Sequence, residues 1–208
     1  GQAFKMMVEV GSLPALDILS TAATVIAEGE VMQLAAAKDT STTEDAYLAV
    51  IRAKTAALFA AACEVGPTIA QRPKADQAAC RSYGANLGIA FQLIDDALDY
   101  GGTSATLGKN VGDDFREGKV TLPVVFAREA GDDEERAFWR RVMGQGQQAE
   151  GDFDKALTIL RRRNAIERTL DAARAYADDA RAALADLPDN AYRAALMDLP
   201  TFVVDRAY

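Results

Sequence analysis

Histidine is absent from this 208-residue sequence, and cysteine occurs only twice, at Cys63 and Cys80. Without an imidazole, every histidine-based catalytic triad is excluded. Two cysteines without a Cys-x-x-Cys spacing exclude the usual zinc sites as well. Both lie in alanine-rich stretches, where they read as small buried apolar residues in a reducing compartment. Aromatic residues make up 7% of the chain while hydrophobic residues make up 50%, so aliphatic side chains and alanine must fill the core. No apolar run reaches the roughly 18 residues that a membrane span needs. No targeting segment stands out either, and the expectation is a soluble, cytoplasmic protein. Positive charge is also scarce: 23 Lys and Arg stand against 31 Asp and Glu, a net charge of −8. With no basic block, a nucleic-acid partner is not expected. The same charge makes the chain a poor anion binder unless metal ions reverse the sign locally.

What is present is helical. A helix is expected over residues 2–10. Ser12-Leu13-Pro14 opens a second, running to about Lys38. Thr43-Glu44-Asp45 caps another to about Val65, and Gly66-Pro67 with Arg72-Pro73 marks the connection after it. A long helix is expected from about Pro73 to Tyr100. It carries Gly84 and Gly88, interior glycines costing roughly 1 kcal/mol each, which imply close helix contact or a ligand near the backbone. Residues 101–118 read as a polar, glycine-rich loop, long for a bundle connection and so a functional segment. Thr121-Leu122-Pro123 opens a helix to about Glu129. Asp132-Asp133-Glu134-Glu135 reads as a solvated helix start that complements the helix dipole. Amphipathic helices are expected near residues 152–163, 165–187 and 190–206. No strand alternation, internal repeat or low-complexity tract appears, and the fold class is all-α.

The most informative stretch is Ala90-Phe91-Gln92-Leu93-Ile94-Asp95-Asp96-Ala97-Leu98-Asp99. On a helix Asp95 and Asp99 lie one turn apart on one face, with Asp96 roughly 100° round from Asp95. Like charges so spaced destabilise an isolated helix by roughly 0.2–0.5 kcal/mol per pair. A hard divalent cation, Mg²⁺, is the simplest group to offset that, and would let an acidic protein grip a diphosphate. Lys54-Thr55, Gly108-Lys109 and Gly118-Lys119 add cations and hydroxyls that can reach a phosphate. Each cluster alone also reads as solvated surface, and Gln92 as a group satisfying a core hydrogen bond.

Tyr83-Gly84, Leu87-Gly88 and Ala90 to Asp99 together resemble the second aspartate-rich region of the trans-isoprenyl (polyprenyl) diphosphate synthases. The resemblance continues through Leu107-Gly108-Lys109, Gly112-Asp113-Asp114, Glu117-Gly118-Lys119 and Thr121-Leu122-Pro123. Upstream, Gly29-Glu30-x-x-Gln33-Leu34 and Lys54-Thr55-Ala56-x-Leu58-Phe59 are similar in the same order, and Phe202-Val203-Val204-x-Arg206 is similar to the family's last helix. The likeness is to the long-chain branch that makes octaprenyl, solanesyl and decaprenyl diphosphates for quinone side chains.

By that resemblance the fold is the isoprenoid-synthase helical bundle, incomplete at its N-terminus. Residues 1–208 would be the C-terminal part of a single synthase domain, with Gly1 just after the fourth family helix. The implied reaction condenses isopentenyl diphosphate with an allylic diphosphate. The implied Mg²⁺ ligands are Asp95, with Asp96 and Asp99 acting directly or through water. Lys54, Lys109 and Lys119 would neutralise phosphate oxygens, Thr55 and Gln92 would supply hydrogen bonds, and Asp114 would orient the loop lysines. Phe91 would contact substrate, and Phe59, Phe91 and Tyr83 are candidate walls for the prenyl chain, with core packing an equally good account of each. Family members are usually homodimers. No earlier Asp-Asp-x-x-Asp precedes Asp95, so little or no activity is expected of this chain alone, together with a broad exposed apolar face. The alternatives are a Mg²⁺-dependent terpene cyclase, or a non-catalytic partner subunit or helical interaction module.

Overall fold

Side-chain caps at Ser12, Thr43, Asp132 and Asn190 start four helices by accepting hydrogen bonds from backbone N–H groups of the first turn. The computed structural model describes residues 1–101 and 111–206. Helix α1 (Gln2–Val10) ends at left-handed Gly11, and α2 (Leu13–Ala36) follows. Then come α3 (Glu44–Ile51), a π turn (Arg52–Ala56), α4 (Ala57–Ile69) and α5 (Lys74–Gly101). After these come α6 (Asp113–Glu117), α7 (Leu122–Ala130), α8 (Asp133–Trp139), a second π turn (Arg140–Gly144), α9 (Asp152–Arg162), α10 (Ala165–Ala183) and α11 (Ala191–Asp205). The fold is all-α, with no strand among the described residues. None of the described helices is long and apolar enough to cross a membrane.

The centre is α5, whose 28 residues span about 42 Å. It packs against α4, α7, α10 and α11, so it is apolar around most of its circumference: Leu87, Ile89, Leu93, Ile94 and Tyr100 are all buried. The largest fully buried side chain, Trp139, belongs to the same core as Leu122, Met143, Leu160 and Leu184. Contact of α5 with α4 and the first π turn is side-chain-free backbone against backbone. A methyl group at Gly84 would lie 2.3 Å from the Phe59 carbonyl oxygen, and one at Gly88 would lie 2.8 Å from Ala56 Cα. Helix contact thus accounts for both interior glycines. Tyr83 is a core residue rather than a cavity wall: it is buried and its hydroxyl donates to the Leu196 carbonyl at 2.8 Å.

Three expectations change. Gly66-Pro67 does not end the helix that Thr43 starts; the chain stays helical to Ile69, with Pro67 in the last turn, where its missing N–H gives up one hydrogen bond near the helix end. The break comes at Gln71, in left-handed conformation, just before Pro73. The segment read as a continuous loop to residue 118 contains α6. In the second acidic cluster Asp132 caps α8, but Glu135 is not solvated: it is 4% exposed and pairs with Arg162 at 3.1 Å and Arg163 at 2.8 Å.

Little of α1 and α2 is covered. No residue of α1 is buried and only Ala15, Ala22 and Gly29 of α2 are, while Val8, Leu13, Val31 and Leu34 stand exposed. The exposed apolar face expected from the sequence is carried by these two helices.

Substituting Gly84→Ala forces α4 and α5 apart and should destabilise by about 1–3 kcal/mol or more. Thermal unfolding by circular dichroism would then show a Tm lower by several degrees. Gly101→Ala is the control, since its nearest neighbour, Ile166 Cγ2, is 3.6 Å away; equal losses in both variants would contradict the close-contact account. A second expectation concerns acid. Asp152 accepts a two-pronged hydrogen bond from Arg141, 2.8 and 2.7 Å, which holds its carboxyl down at about 2. A carboxyl depressed on folding contributes stability above its unfolded value, roughly 3.9, and loses it as pH falls toward 2. Asp152→Asn should therefore lower Tm at pH 7 while making Tm less sensitive to pH between 4 and 2.

Candidate active site

Where α2, α3, the first π turn, α5 and α6 converge they enclose a cavity of about 680 Å³. Its lining contains Lys54, Thr55, Gln92, Asp95, Asp96, Asp99, Asp114 and Lys119, drawn from three separate stretches of sequence. Lys109 and its neighbour Gly108 lie outside the described residues. Phe91 sits beside the cavity rather than in its lining. One residue before Gln92 on α5, it faces a different direction, stacking on Phe59 with ring centroids 5.6 Å apart.

The π turn explains the presence of Lys54. A π turn inserts one residue into a helix and is frequent at functional sites. Here it lies where α2 comes closest: a methyl group on Gly29 would be 2.6 Å from the Lys54 backbone nitrogen. That approach lets the Lys54 ammonium donate to Gln33 at 2.6 Å and pair with Glu30 at 3.2 Å. Thr55, next along, donates to Gln92 Oε1 at 3.2 Å.

The three aspartates of α5 have different surroundings. Asp95 is one-third exposed and 3.7 Å from the Arg206 guanidinium, which also lies over the Phe91 ring at 4.9 Å. Asp96 is 3% exposed; it accepts from the Tyr47 hydroxyl and, at 2.8 Å, from Gln92 Nε2. Burial pushes its carboxyl up to about 7, against the opposing pull of those two donors. Asp99 accepts from the backbone N–H groups of Asp113 at 3.1 Å and Asp114 at 3.0 Å. It thereby caps α6, whose own N-cap is the side-chain-free Gly112. Burial first, then the charge of Asp114, raises the Asp99 carboxyl.

Lys119 leaves α6 through left-handed Gly118 and pairs with Glu117 at 2.7 Å and Asp114 at 3.2 Å. The hydrogen bond it donates to Glu117, and then the charge of Asp114, holds its ammonium more firmly protonated than usual. Tyr47 and Arg206 are functional-site residues that sequence reasoning did not assign a role. The signal for Tyr47 is its position two helical turns before Lys54; Arg206 stands at the far end of the chain with no local signal.

Among the described residues no cluster of three carboxylates is arranged to hold a metal by itself. Mg²⁺, however, is commonly held by one or two carboxylates together with substrate phosphates. Asp95 and Asp99, hard oxygen donors one turn apart on a cavity wall, fit that requirement.

A family model for polyprenyl synthetases matches residues 1–160. The chain belongs to the polyprenyl synthetase family. It is 42% identical over 205 residues to the octaprenyl diphosphate synthase of Escherichia coli, covering 99% of this chain and 63% of that protein. The crystal structure of a decaprenyl diphosphate synthase from Rhodobacter capsulatus superposes with a TM-score of 0.93 at 51% identity, over 99% of this chain and 63% of that one. A polyprenyl synthase from Caulobacter crescentus, crystallised with calcium and isoprenyl diphosphate, gives a TM-score of 0.94 at 51% identity over the same shares. The chain therefore spans a little under two thirds of the length of these relatives.

Asp99→Ala in this polyprenyl synthetase chain removes a cap of about 0.5–2 kcal/mol. Amide exchange at Asp113 and Asp114 should accelerate by about 2- to 30-fold while exchange in α10 stays unchanged. Unaltered exchange at those two amides would show that α6 is held by something else.

Proposed function

We propose that this chain supplies the aspartate-rich side of a trans-polyprenyl diphosphate synthase site, which lengthens an allylic diphosphate by condensation with isopentenyl diphosphate. The observation that carries this reading is the convergence of Lys54, Thr55, Gln92, Asp95, Asp99 and Lys119 on one cavity in a chain of net charge −8. The calcium and isoprenyl diphosphate in the Caulobacter relative, and the long-chain products in the other relatives' names, support it.

Asp95 and Asp99 would hold Mg²⁺, and Asp96 belongs to the same acidic motif. When bound, the ion supplies charge neutralisation for the diphosphate leaving group. The residues of the chain do the rest. Lys54 and Lys119, with Lys109 from the same glycine-rich segment, meet phosphate oxygens as negative charge gathers on them during cleavage of the carbon–oxygen bond. Asp114 steers Lys119, to which it is already paired. Thr55 and Gln92 orient the cavity wall, and Phe91 with Phe59 flanks the prenyl chain. The apolar bundle excludes water from the allylic cation, which would otherwise be quenched. The double bond of isopentenyl diphosphate attacks that cation, and loss of a proton completes the longer product.

The same reading makes the product a long-chain diphosphate destined for quinone side chains, and the protein a cytoplasmic homodimer with no nucleic-acid partner. The 208 residues contain one Asp-Asp-x-x-Asp, so binding with little or no elongation is the expectation for this chain.

Calorimetric titration of farnesyl diphosphate in Mg²⁺ tests the proposal. Binding should require the metal, weaken at least tenfold in Asp95→Ala, and weaken severalfold in Lys119→Ala. Binding that is independent of Mg²⁺, or indifferent to Asp95→Ala, would overturn it. Mass spectrometry of the same mixtures with isopentenyl diphosphate reads elongation directly. Longer prenyl diphosphates that vanish in Asp95→Ala would show that these residues suffice for catalysis.

A further inference from the structure

Asp96 stands in the middle of the acidic run but is placed unlike its neighbours. It is 3% exposed, against one-third for the Asp95 side chain. Each of its oxygens has a buried side-chain donor, Tyr47 hydroxyl on Oδ2 and Gln92 Nε2 on Oδ1, whereas the oxygens of the half-buried Asp99 accept, among the described residues, only from backbone N–H groups at the start of α6. The Gln92 amide oxygen in turn accepts from Thr55. Four side chains from α3, α5 and the π turn thus form one unbroken hydrogen-bonded line, Tyr47 to Asp96 to Gln92 to Thr55.

The π turn puts this line in register. Tyr47 and Thr55 are eight residues apart. Eight residues of regular α-helix rotate by about 800°, which leaves the second side chain roughly 80° off the face of the first. The one extra residue absorbed by a π turn reduces the effective rotation to about 700°, within roughly 20° of two whole turns. Tyr47 and Thr55 therefore look the same way, toward Asp96 and Gln92, themselves one turn apart on α5. Burying a carboxylate among neutral donors is unfavourable unless its oxygens are filled and its partners are fixed. Here both conditions are met by residues that also carry Lys54 and Asp95.

We propose that Tyr47 is a positioning residue which, with Gln92, withdraws Asp96 from the ligand set and locks α3 and the π turn to α5. Asp95 and Asp99 are then the carboxylates presented to a metal–diphosphate ligand. The locking stands on geometry alone, whereas the division of the aspartates rests on the function proposed above. The division departs from the expectation that all three aspartates serve the metal.

Two measurements test the two halves separately. The first needs no metal: thermal unfolding of Tyr47→Phe, Asp96→Asn and the double variant. Each single change should lower Tm by several degrees, and the double variant should fall no further than the worse single. Additive losses would overturn the lock. The second uses Mn²⁺ with inorganic diphosphate, followed by electron paramagnetic resonance on the purified chain. Asp95→Asn should weaken Mn²⁺ binding at least tenfold and Asp96→Asn less than threefold. In the Tyr47→Phe background the released carboxylate becomes available, so Asp96→Asn should there weaken Mn²⁺ binding severalfold. A structural role for Tyr47 alone would not create that dependence. If Asp96→Asn in the parent chain costs as much affinity as Asp95→Asn, the withdrawal is wrong. If the parent chain binds no Mn²⁺ with diphosphate, the division of the aspartates falls with the proposed function, and the unfolding cycle still decides the lock.

Discussion

At Gly84 and Gly88 the backbone of α5 meets the α4 and π-turn backbone so closely that a single methyl group would collide with it. Much of the site depends on that approach. It brings Gln92 and Asp96 within hydrogen-bonding reach of Thr55 and Tyr47. Gly29 does the same on the opposite side, letting α2 reach Lys54 with Gln33 and Glu30. Three glycines, which weaken each helix taken alone, permit the contacts that hold the assembly together. Packing of this kind transmits small changes in volume, because protein interiors are close-packed.

The cavity is also an electrostatic compromise. Its carboxylates outnumber its cations, and its cations are mostly engaged: Lys54 with α2, Lys119 with Glu117 and Asp114, Arg206 with Asp95. Such pairs keep long basic side chains near the place where phosphate oxygens would arrive, at modest energetic gain of their own because the groups are partly exposed. Elsewhere charge has a purely structural use. Glu135, buried between Arg162 and Arg163, and Asp152, gripped by Arg141, tie α8, the second π turn and α9 with its C-cap together.

Much of the fold was legible in the sequence because caps, prolines and apolar periodicity are local signals. Ser12, Thr43 and Asp132 start helices as their side chains require, and α5 runs nearly as its pattern indicated. The departures have physical causes. Pro67 falls in the last turn of α4, where its missing N–H gives up one hydrogen bond, so Gly66-Pro67 does not stop the helix there. Neither π turn leaves a mark in composition, since one extra residue per turn changes no residue type. Glu135 looks like any acidic helix start until Arg162 and Arg163, more than two dozen residues later, fold over it.

The site divides in the same way. Residue types and spacing alone determined that this chain is all-α, that an acidic run closes one helix, and that lysines follow in a glycine-rich segment. Those are consequences of 3.6-residue periodicity and of like charges that need a counterion. Which aspartate does what was decided only in three dimensions. Asp95, Asp96 and Asp99 read in the sequence as one metal-facing motif led by Asp95, yet one faces the cavity beside Arg206, one is buried under Tyr47 and Gln92, and one caps α6. The physical reason is that a carboxylate's role follows from the donors around it, and those donors come from elements distant in sequence and adjacent in space.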